Sequence, residues 1–150
     1  VSSPASNESS RHWSKKAHER VRQFLMTRSL EAMQENLISG RTGKMTALGD
    51  SLSPLIIDGD TCIWHPIIPG ISDTIEAGEV VFCLAPDFHR RILCCRLVLR
   101  TYTVTTKCGT KKAAYIIGNA KQGESKTVVT GVCFREHIYG ILVKTTPRGT

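Results

Sequence analysis

The sequence predicts a mainly β domain that carries a helical arm at its N-terminal end. Residues 11–39 contain neither proline nor glycine, and Trp13, Val21 and Phe24 recur there at helical spacing. Beyond residue 44, short apolar runs alternate with turns that contain Gly, Pro or Asp, which is the pattern of strands joined by turns. With 150 residues, the chain can form one domain with appendages but not two full domains.

The first 44 residues divide into a lead and an arm. Residues 1–10 are rich in Ser, Asn and Pro, so we expect a flexible lead. In residues 11–44 the apolar stripe changes phase near Thr27, which is compatible either with one helix or with two helices, the second capped by Ser29. Gly40 is the residue type that commonly follows the last turn of a helix, so the helical stretch should end there.

The arm is not expected to stand free in water. A bare helix of this length is marginal unless its apolar stripe is covered. We therefore expect Trp13, Val21 and Phe24 to pack on the body or on a partner chain. Glu19 and Glu31 weaken the alternative of a helix that lies on a membrane surface.

The body, residues 45–150, is predicted to consist of strands. Its apolar runs are bounded by turn residues, and the last run is interrupted near residues 135–137. The predicted strands cover residues 61–65, 79–84, 92–105, 114–118 and 128–144, and a turn is expected at residues 85–87. No run approaches the roughly 20 apolar residues of a membrane helix. We therefore expect no membrane span in the chain as given, with peripheral association left open.

Six cysteines stand in settings that favour free thiols. Cys62, Cys83, Cys94 and Cys133 lie within apolar runs, where a thiol behaves as a small hydrophobic side chain. The chain has no C-x-x-C motif, and no histidine stands at zinc-ligand spacing from a cysteine pair. We expect no disulfide, no metal and no other cofactor, and a reducing compartment such as the cytosol or an organelle interior.

The net charge of +7 is unevenly distributed. The first 44 residues hold eight basic and four acidic residues, whereas the other 106 hold twelve and nine. No dense Lys/Arg block with interleaved aromatic residues accompanies this excess. Nucleic-acid binding is therefore not expected.

The segment that begins at Gly49 has the pattern of a serine nucleophile. Ser51 follows Gly49 by two residues and precedes Pro54 by three, and Gly59 and Asp60 come shortly after. A nucleophilic serine needs a tight turn that exposes its oxygen and leaves a backbone N–H free to stabilise an oxyanion. A lone Gly-x-Ser segment also occurs as an ordinary turn before a strand. Whether Ser51 is a nucleophile therefore depends on further blocks, that is, on short runs of residues that match the pattern of one protein family in order.

The order of those blocks resembles the superfamily of signal peptidases and LexA-type self-cleaving repressors. Residues 49–54 and 59–60 are similar to its Gly-x-Ser-Met-x-Pro box and the Gly-Asp that follows, with Leu52 in place of Met. The other similar blocks are residues 75–82, 92–98, 115–120, 131–132 and 139–144. This resemblance covers residues 45–144 and implies a twisted β-ribbon body whose cleft accepts an extended peptide.

The resemblance also implies which residues form the site. Ser51 takes the nucleophile position, and Cys95, immediately before Arg96, takes the position of the Lys or His general base. A buried thiol is largely protonated at neutral pH, so Cys95 is a poor base. Asn119 replaces the acidic residue of the family's Gly-Asp-Asn box. The residues implied for the oxyanion hole and the cleft are Gly49, Leu52, Pro54, Arg96, Gly118 and Asn119.

These substitutions predict a signal-peptidase-like domain without peptidase activity. Its cleft and helical arm would serve as a binding or structural subunit for a protein or an extended peptide segment, within a larger assembly. The alternative is an active serine endopeptidase in which Ser51 uses an unrecognised base, for which Lys107, His89 and His65 are candidates in or near predicted turns. A DNA-binding repressor is not expected, because residues 11–39 are too short for a helix-turn-helix with its supporting helix.

Overall fold

The computed structural model describes residues 14–49, 51–70, 74–120 and 127–149, which form one α-helix, seven strands and a short 3-10 helix. Their bounds are α1 Lys15–Ile38, β1 Gly43–Thr46, β2 Thr61–Pro66, β3 Val80–Asp87, β4 Arg90–Thr105, β5 Lys111–Ala120, β6 Thr127–Phe134, the 3-10 helix Arg135–His137, and β7 Ile138–Thr146. The prediction of a mainly β domain with an N-terminal helix is confirmed. The predicted flexible lead and Trp13 lie outside the described residues.

All of these strands belong to a single antiparallel sheet. Its order is β1-β2-β7-β3-β4-β5-β6, so β1 and β6 are its edge strands. The sheet curls far enough for Gly131 on β6 to pack against the ring of Pro86 on β3. β5 pairs with β4 only from Leu97 onward, so the N-terminal part of β4 has no strand on that side among the described residues.

β3 is buried on both faces and separates two hydrophobic clusters. Its successive side chains point to opposite faces, so Val80 and Phe82 enter the first cluster while Val81 and Cys83 enter the second. The first cluster contains Met33, Leu37, Leu52, Ile56, Cys62, Trp64, Val80, Phe82 and Leu97. The second contains Ile75, Val81, Cys83, Ala85, Val98, Tyr115, Ile117, Cys133 and Ile138. The first cluster joins the arm and the loop that carries Ser51 to the sheet.

One continuous helix, rather than two, forms the arm. Ser14 caps it by accepting a hydrogen bond from the Ala17 N–H at 3.0 Å. Gly40 follows its end with a φ of +80°. The Ser29 hydroxyl does not cap a second helix, because it donates to the Leu25 carbonyl one turn earlier, at 3.0 Å.

The arm docks on the body through its last two turns. Met33 and Leu37 are each 3% exposed, and they pack over glycines of β1 and β7 where a Cβ atom would collide with them. Val21 and Phe24 remain 43% and 60% exposed, so the expectation that they pack on the body is wrong. The C-terminal part of the stripe lies over these glycines, whose lack of a side chain allows the helix to approach the sheet closely. That Val21 and Phe24 pack on a partner chain stays a prediction.

Two further differences from the predicted strands concern β1 and the end of β3. β1 is not among the predicted strands, and it makes the sheet begin at Gly43 rather than at residue 45. β3 continues through the expected turn at Pro86, and the chain reverses at Phe88 with a φ of +53°. None of the described residues form a helix with the length and hydropathy needed to cross a bilayer.

Candidate functional site

Ser51 lies in the loop between β1 and β2, and backbone hydrogen bonds fix the base of this loop. The Ala47 N–H donates to the Asp60 carbonyl at 2.8 Å, which extends the β1–β2 ladder by one pair. Gly49 then turns the chain with a φ of +88°, a conformation that favours glycine. Its N–H donates to the Asp58 carboxylate at 2.7 Å, so the turn before Ser51 is held on both sides.

The residues after Ser51 anchor the loop to the first hydrophobic cluster. Leu52 and Ile56 are 4% and 5% exposed. The Ile56 N–H donates to the Leu52 carbonyl at 3.1 Å and closes a single turn. Ser53 is also buried, and its peptide bond to Pro54 is cis. Ser51 itself is exposed, so an anchored turn presents it to solvent.

A cavity of about 850 Å³ opens beside this loop. Its walls come from one face of α1, from β1 with the following loop, from β2 and from the N-terminal part of β4. The lining includes Met26, Met33, Met45, Ser51, Leu52, Cys62, Trp64, Leu93, Cys95 and Arg96. Its size falls in the range of small-ligand sites, and its wall is largely apolar. The loop and β4 thus border one cavity, and Ser51 and Cys95 are both among its lining residues.

Cys95 contributes a protonated thiol, not a base, to this wall. It stands opposite Phe82 in the β3–β4 register and packs against the first cluster. Burial raises the pKa of the Cys95 thiol well above its usual value, and the neighbouring Cys94 and Cys62 raise it further. At neutral pH the thiol therefore keeps its proton and cannot accept one from Ser51.

The open edge of β4 borders the cavity with unpaired backbone groups. Val98 exchanges hydrogen bonds with residues 78 and 79 on the β3 side. Backbone groups alternate in direction along a strand, so Leu93 and Cys95, which lie an odd number of residues before Val98, direct their N–H and C=O groups to the other edge. A side chain covers one of these groups, because Arg96 Nη1 donates to the Cys95 carbonyl at 2.9 Å. The remaining groups along this edge have no strand partner among the described residues.

The open edge of β1 borders the cavity from the other side. Ala47 directs its N–H and C=O to β2, so by alternation Lys44 and Thr46 direct theirs away from β2. No strand of the described part of the chain pairs with this edge. A segment that entered the cavity in extended form would meet backbone donors and acceptors on both sides.

The residues implied by the resemblance divide between the cavity and the rest of the sheet. Gly49, Leu52 and Arg96 line the cavity, whereas Pro54, Gly118 and Asn119 are not among its described lining residues. Gly118 lies on β5, where a Cβ would collide with the Val128 carbonyl of β6. The Oδ1 of Asn119 is buried without a hydrogen-bond partner in the described residues. Their roles in an oxyanion hole or cleft stay predictions.

The three candidate bases lie away from the cavity lining. His65 is on β2, His89 is in the turn between β3 and β4, and Lys107 is in the turn between β4 and β5. A different lysine, Lys44 on β1, is exposed and does line the cavity. It lies in a strand that is not among the predicted ones, so no local pattern indicated Lys44 as a candidate base.

The arm forms a wall of the cavity that was not predicted. The helical spacing in the sequence shows that these side chains share one face, but not what the face meets. The α1 residues that line the cavity include Arg22, Met26, Ser29, Met33 and Asn36, at intervals of three and four. On the opposite side Trp64 is fully buried, and its indole N–H has no hydrogen-bond partner among the described residues. A bound acceptor could satisfy such a group.

No group of His, Cys, Asp and Glu side chains in the described ranges is arranged to hold a metal ion. No protein-family model, curated protein or solved structure matches the chain. A functional proposal must therefore stand on the residue blocks and on the geometry of this cavity.

Proposed function

We propose that this chain is a signal-peptidase-like domain that binds an extended peptide segment of a partner protein without cleaving it. One observation carries the proposal: a single cavity is bordered by the open edges of β1 and β4 and has Ser51 and Cys95 on its wall. The position that needs a general base holds a thiol. In this proposal the domain keeps a cleft for an extended peptide but lacks the group that would accept the proton of Ser51.

Strand addition is the binding mode that fits this cavity. An extended segment would use the backbone groups of Leu93 and Cys95 on one side and those of Lys44 and Thr46 on the other. β1 has four residues, so its contact with the segment spans about 13 Å. Alternate side chains of the segment would face the apolar wall around Leu52. The preferred partner is therefore an uncharged segment with small or apolar residues at alternate positions.

The absence of cleavage follows from proton transfer. A serine hydroxyl is a weak nucleophile unless a base removes its proton, and a positioned base contributes about a hundred- to ten-thousand-fold to the rate. The raised pKa of Cys95 excludes its thiol from this role at neutral pH. Ser51 is then a contact residue of the cleft rather than a nucleophile.

An active serine endopeptidase is the second candidate, and Lys44 is the observation that favours it. Lys44 lines the same cavity as Ser51. Lysine is one of the two general bases, with histidine, of the superfamily that the sequence resembles. In this alternative an amine supplied by β1, rather than by β4, would act on Ser51.

Binding is tested with fluorescein-labelled peptides of alternating Ala and Ser residues, read by fluorescence anisotropy. Thr46→Pro removes the N–H that faces the open edge of β1, and by the strand alternation it removes no β1–β2 hydrogen bond. Loss of one hydrogen bond should weaken binding about three- to tenfold. Thr46→Ala keeps the N–H and is the matched control. Equal affinities for the two variants would contradict strand addition.

Cleavage is tested on the same peptides by mass spectrometry. Wild type and Ser51→Ala should both leave the peptides intact for as long as the binding experiment lasts. A product from wild type that is absent from Ser51→Ala would overturn the non-cleaving proposal. In that case Lys44→Met decides whether Lys44 is the base, because it keeps the apolar stem and removes the amine.

A further inference from the structure

Three cysteines meet at the second hydrophobic cluster, and one of them, Cys94, also lines the peptide cavity. Cys83 on β3 and Cys94 on β4 are direct partners in the strand register, and Cys133 on β6 packs over them through the curl of the sheet. The Cys133 thiol donates to the Leu84 carbonyl, next to Cys83, at 3.6 Å. Arg91 Nη1 lies 3.9 Å from the Cys133 sulfur, which adds a positive charge to the group. These three residues, Cys83, Cys94 and Cys133, form a thiol cluster of which Cys83 and Cys133 are not among the described lining residues of the peptide cavity.

The members of the thiol cluster differ in access to solvent. Cys83 and Cys133 are 0% exposed, whereas Cys94 is partly exposed at the edge of the second hydrophobic cluster. A small solute can therefore reach one sulfur while the other two stay inside. The arrangement places an accessible thiol directly beside a shielded one.

The hydrogen bonds within the thiol cluster separate the protonation of its members. Cys83 acts as the donor, and its pKa is raised by its bonds to Cys133 and Cys94 and by burial. The pKa of Cys94 is lowered, first by the hydrogen bond from Cys83 and then by the charge of Arg96. Cys94 is thus the member that most readily becomes a thiolate in contact with solvent.

The distance between the two strands suits a disulfide. Cys94 lies four residues before Val98, so its N–H and C=O groups point toward β3 as those of Val98 do. Cys83 and Cys94 therefore form a hydrogen-bonded cross-strand pair. Such a pair has a Cα–Cα separation of about 5.5 Å, inside the roughly 4.4 to 6.8 Å that a disulfide requires. The Cβ atoms of a hydrogen-bonded pair are about 5.5 Å apart, whereas a disulfide needs roughly 3.5 to 4.5 Å, so the two strands must move slightly closer together as the bond forms.

We propose that Cys94 is a peroxide-sensing thiol and that Cys83 is its resolving partner. The Cys94 thiolate attacks one oxygen of hydrogen peroxide, the O–O bond breaks, hydroxide leaves, and Cys94 becomes a sulfenic acid. The Cys83 sulfur then attacks the Cys94 sulfur, the S–O bond breaks, and the leaving hydroxyl takes the Cys83 proton as water. Two thiols lose two electrons in total, and one peroxide is reduced to two waters.

The test treats the reduced full-length protein with hydrogen peroxide and blocks free thiols before digestion. Trypsin leaves Cys62 and Cys83 in one fragment, because no Lys or Arg lies between residues 45 and 89, so a Glu-specific protease is added to cut after Glu76 and Glu79. We expect the wild-type protein to yield a fragment pair joined through Cys83, about 2 Da lighter than the two thiols. Cys94 and Cys95 share the other fragment, so Cys95→Ser, which should retain the disulfide, assigns it to Cys94.

Variants separate the roles within the thiol cluster. Cys83→Ser should trap Cys94 as a sulfenic acid, with dimedone labelling at least about tenfold above that of Cys62, which is buried outside the cluster. Cys133→Ser should form the disulfide as wild type does. The proposal is overturned if peroxide produces no Cys83–Cys94 bond in folded wild-type protein. It is also overturned if Cys83→Ser forms a Cys94–Cys133 bond as fast as wild type forms its own.

Discussion

Replacing Cys95 with lysine should convert the cavity wall into one that supports cleavage. The new amine would replace a protonated thiol on the wall that also carries Ser51. Burial at this position disfavours charge, as the raised pKa of the Cys95 thiol shows, so it should lower the pKa of a lysine there and favour the neutral amine. With the base restored, Ser51-dependent cleavage of Ala-rich peptides should rise by about a hundred- to ten-thousand-fold over wild type.

The same change carries a cost in stability. Cys95 packs against the first hydrophobic cluster, and a longer side chain should lower the unfolding free energy by about 1–3 kcal/mol. Cys95→Met is the matched control, because it adds bulk without a base. Product is measured by mass spectrometry in Cys95→Lys, in Cys95→Met and in the double variant that also carries Ser51→Ala. A folded Cys95→Lys protein that binds the peptide with wild-type affinity but yields no Ser51-dependent product would refute the reasoning that the two positions face each other.

Two other predictions concern the arm and the end of β6. Leu37 is 3% exposed, so Leu37→Ala should lower the unfolding free energy measured in urea by about 2–5 kcal/mol. Phe24 is 60% exposed, so Phe24→Ala should change it by less than about 0.5 kcal/mol. Similar losses in the two variants would contradict docking through the last turns of the helix. His137 Nδ1 accepts the Phe134 N–H at 3.1 Å, and burial lowers the pKa of His137, so the folded state favours the neutral ring. The unfolding free energy should therefore fall as the pH drops below about 6.5, and His137→Asn should reduce this fall; an unchanged pH profile would exclude His137 as its source.

Local patterns in the sequence were sufficient to predict most of the elements. The apolar runs that become β2, β3 and β4 are bounded by turn residues, and α1 has apolar residues at helical spacing, so each signal lies within a few residues of the element it describes. The Ser51 loop was found in the same way, through Gly49 and the residues that follow. The prediction that Cys95 and Ser51, which line one cavity, face each other depended on the order of blocks along the chain, since 43 residues separate the two and no local pattern joins them.

What escaped prediction depends on tertiary contacts. β1 has one partly buried apolar residue, Met45, and its four residues carry no alternation long enough to indicate a strand. Docking of the arm at Leu37 rather than at Phe24 depends on Gly140, which lies about a hundred residues later in the chain and leaves room for the Leu37 side chain. A helical stripe gives the face of a helix but not the part of that face which meets the sheet.

The two adjacent cysteines of β4 both line the cavity, but they pack against different hydrophobic clusters because side chains alternate along a strand. Cys95 packs against the cluster that holds Leu52, and Cys94 packs against the cluster that holds Cys133. A register shift of one residue in β4 would exchange the two sulfurs between the peptide cavity and the thiol cluster. The two substitutions should therefore act differently: Cys94→Ser should abolish the peroxide-dependent disulfide without adding Ser51-dependent cleavage, whereas Cys95→Lys should add cleavage and leave that disulfide intact. Cross-effects of equal size would indicate that β4 pairs with β3 in a different register from the one on which both sites depend.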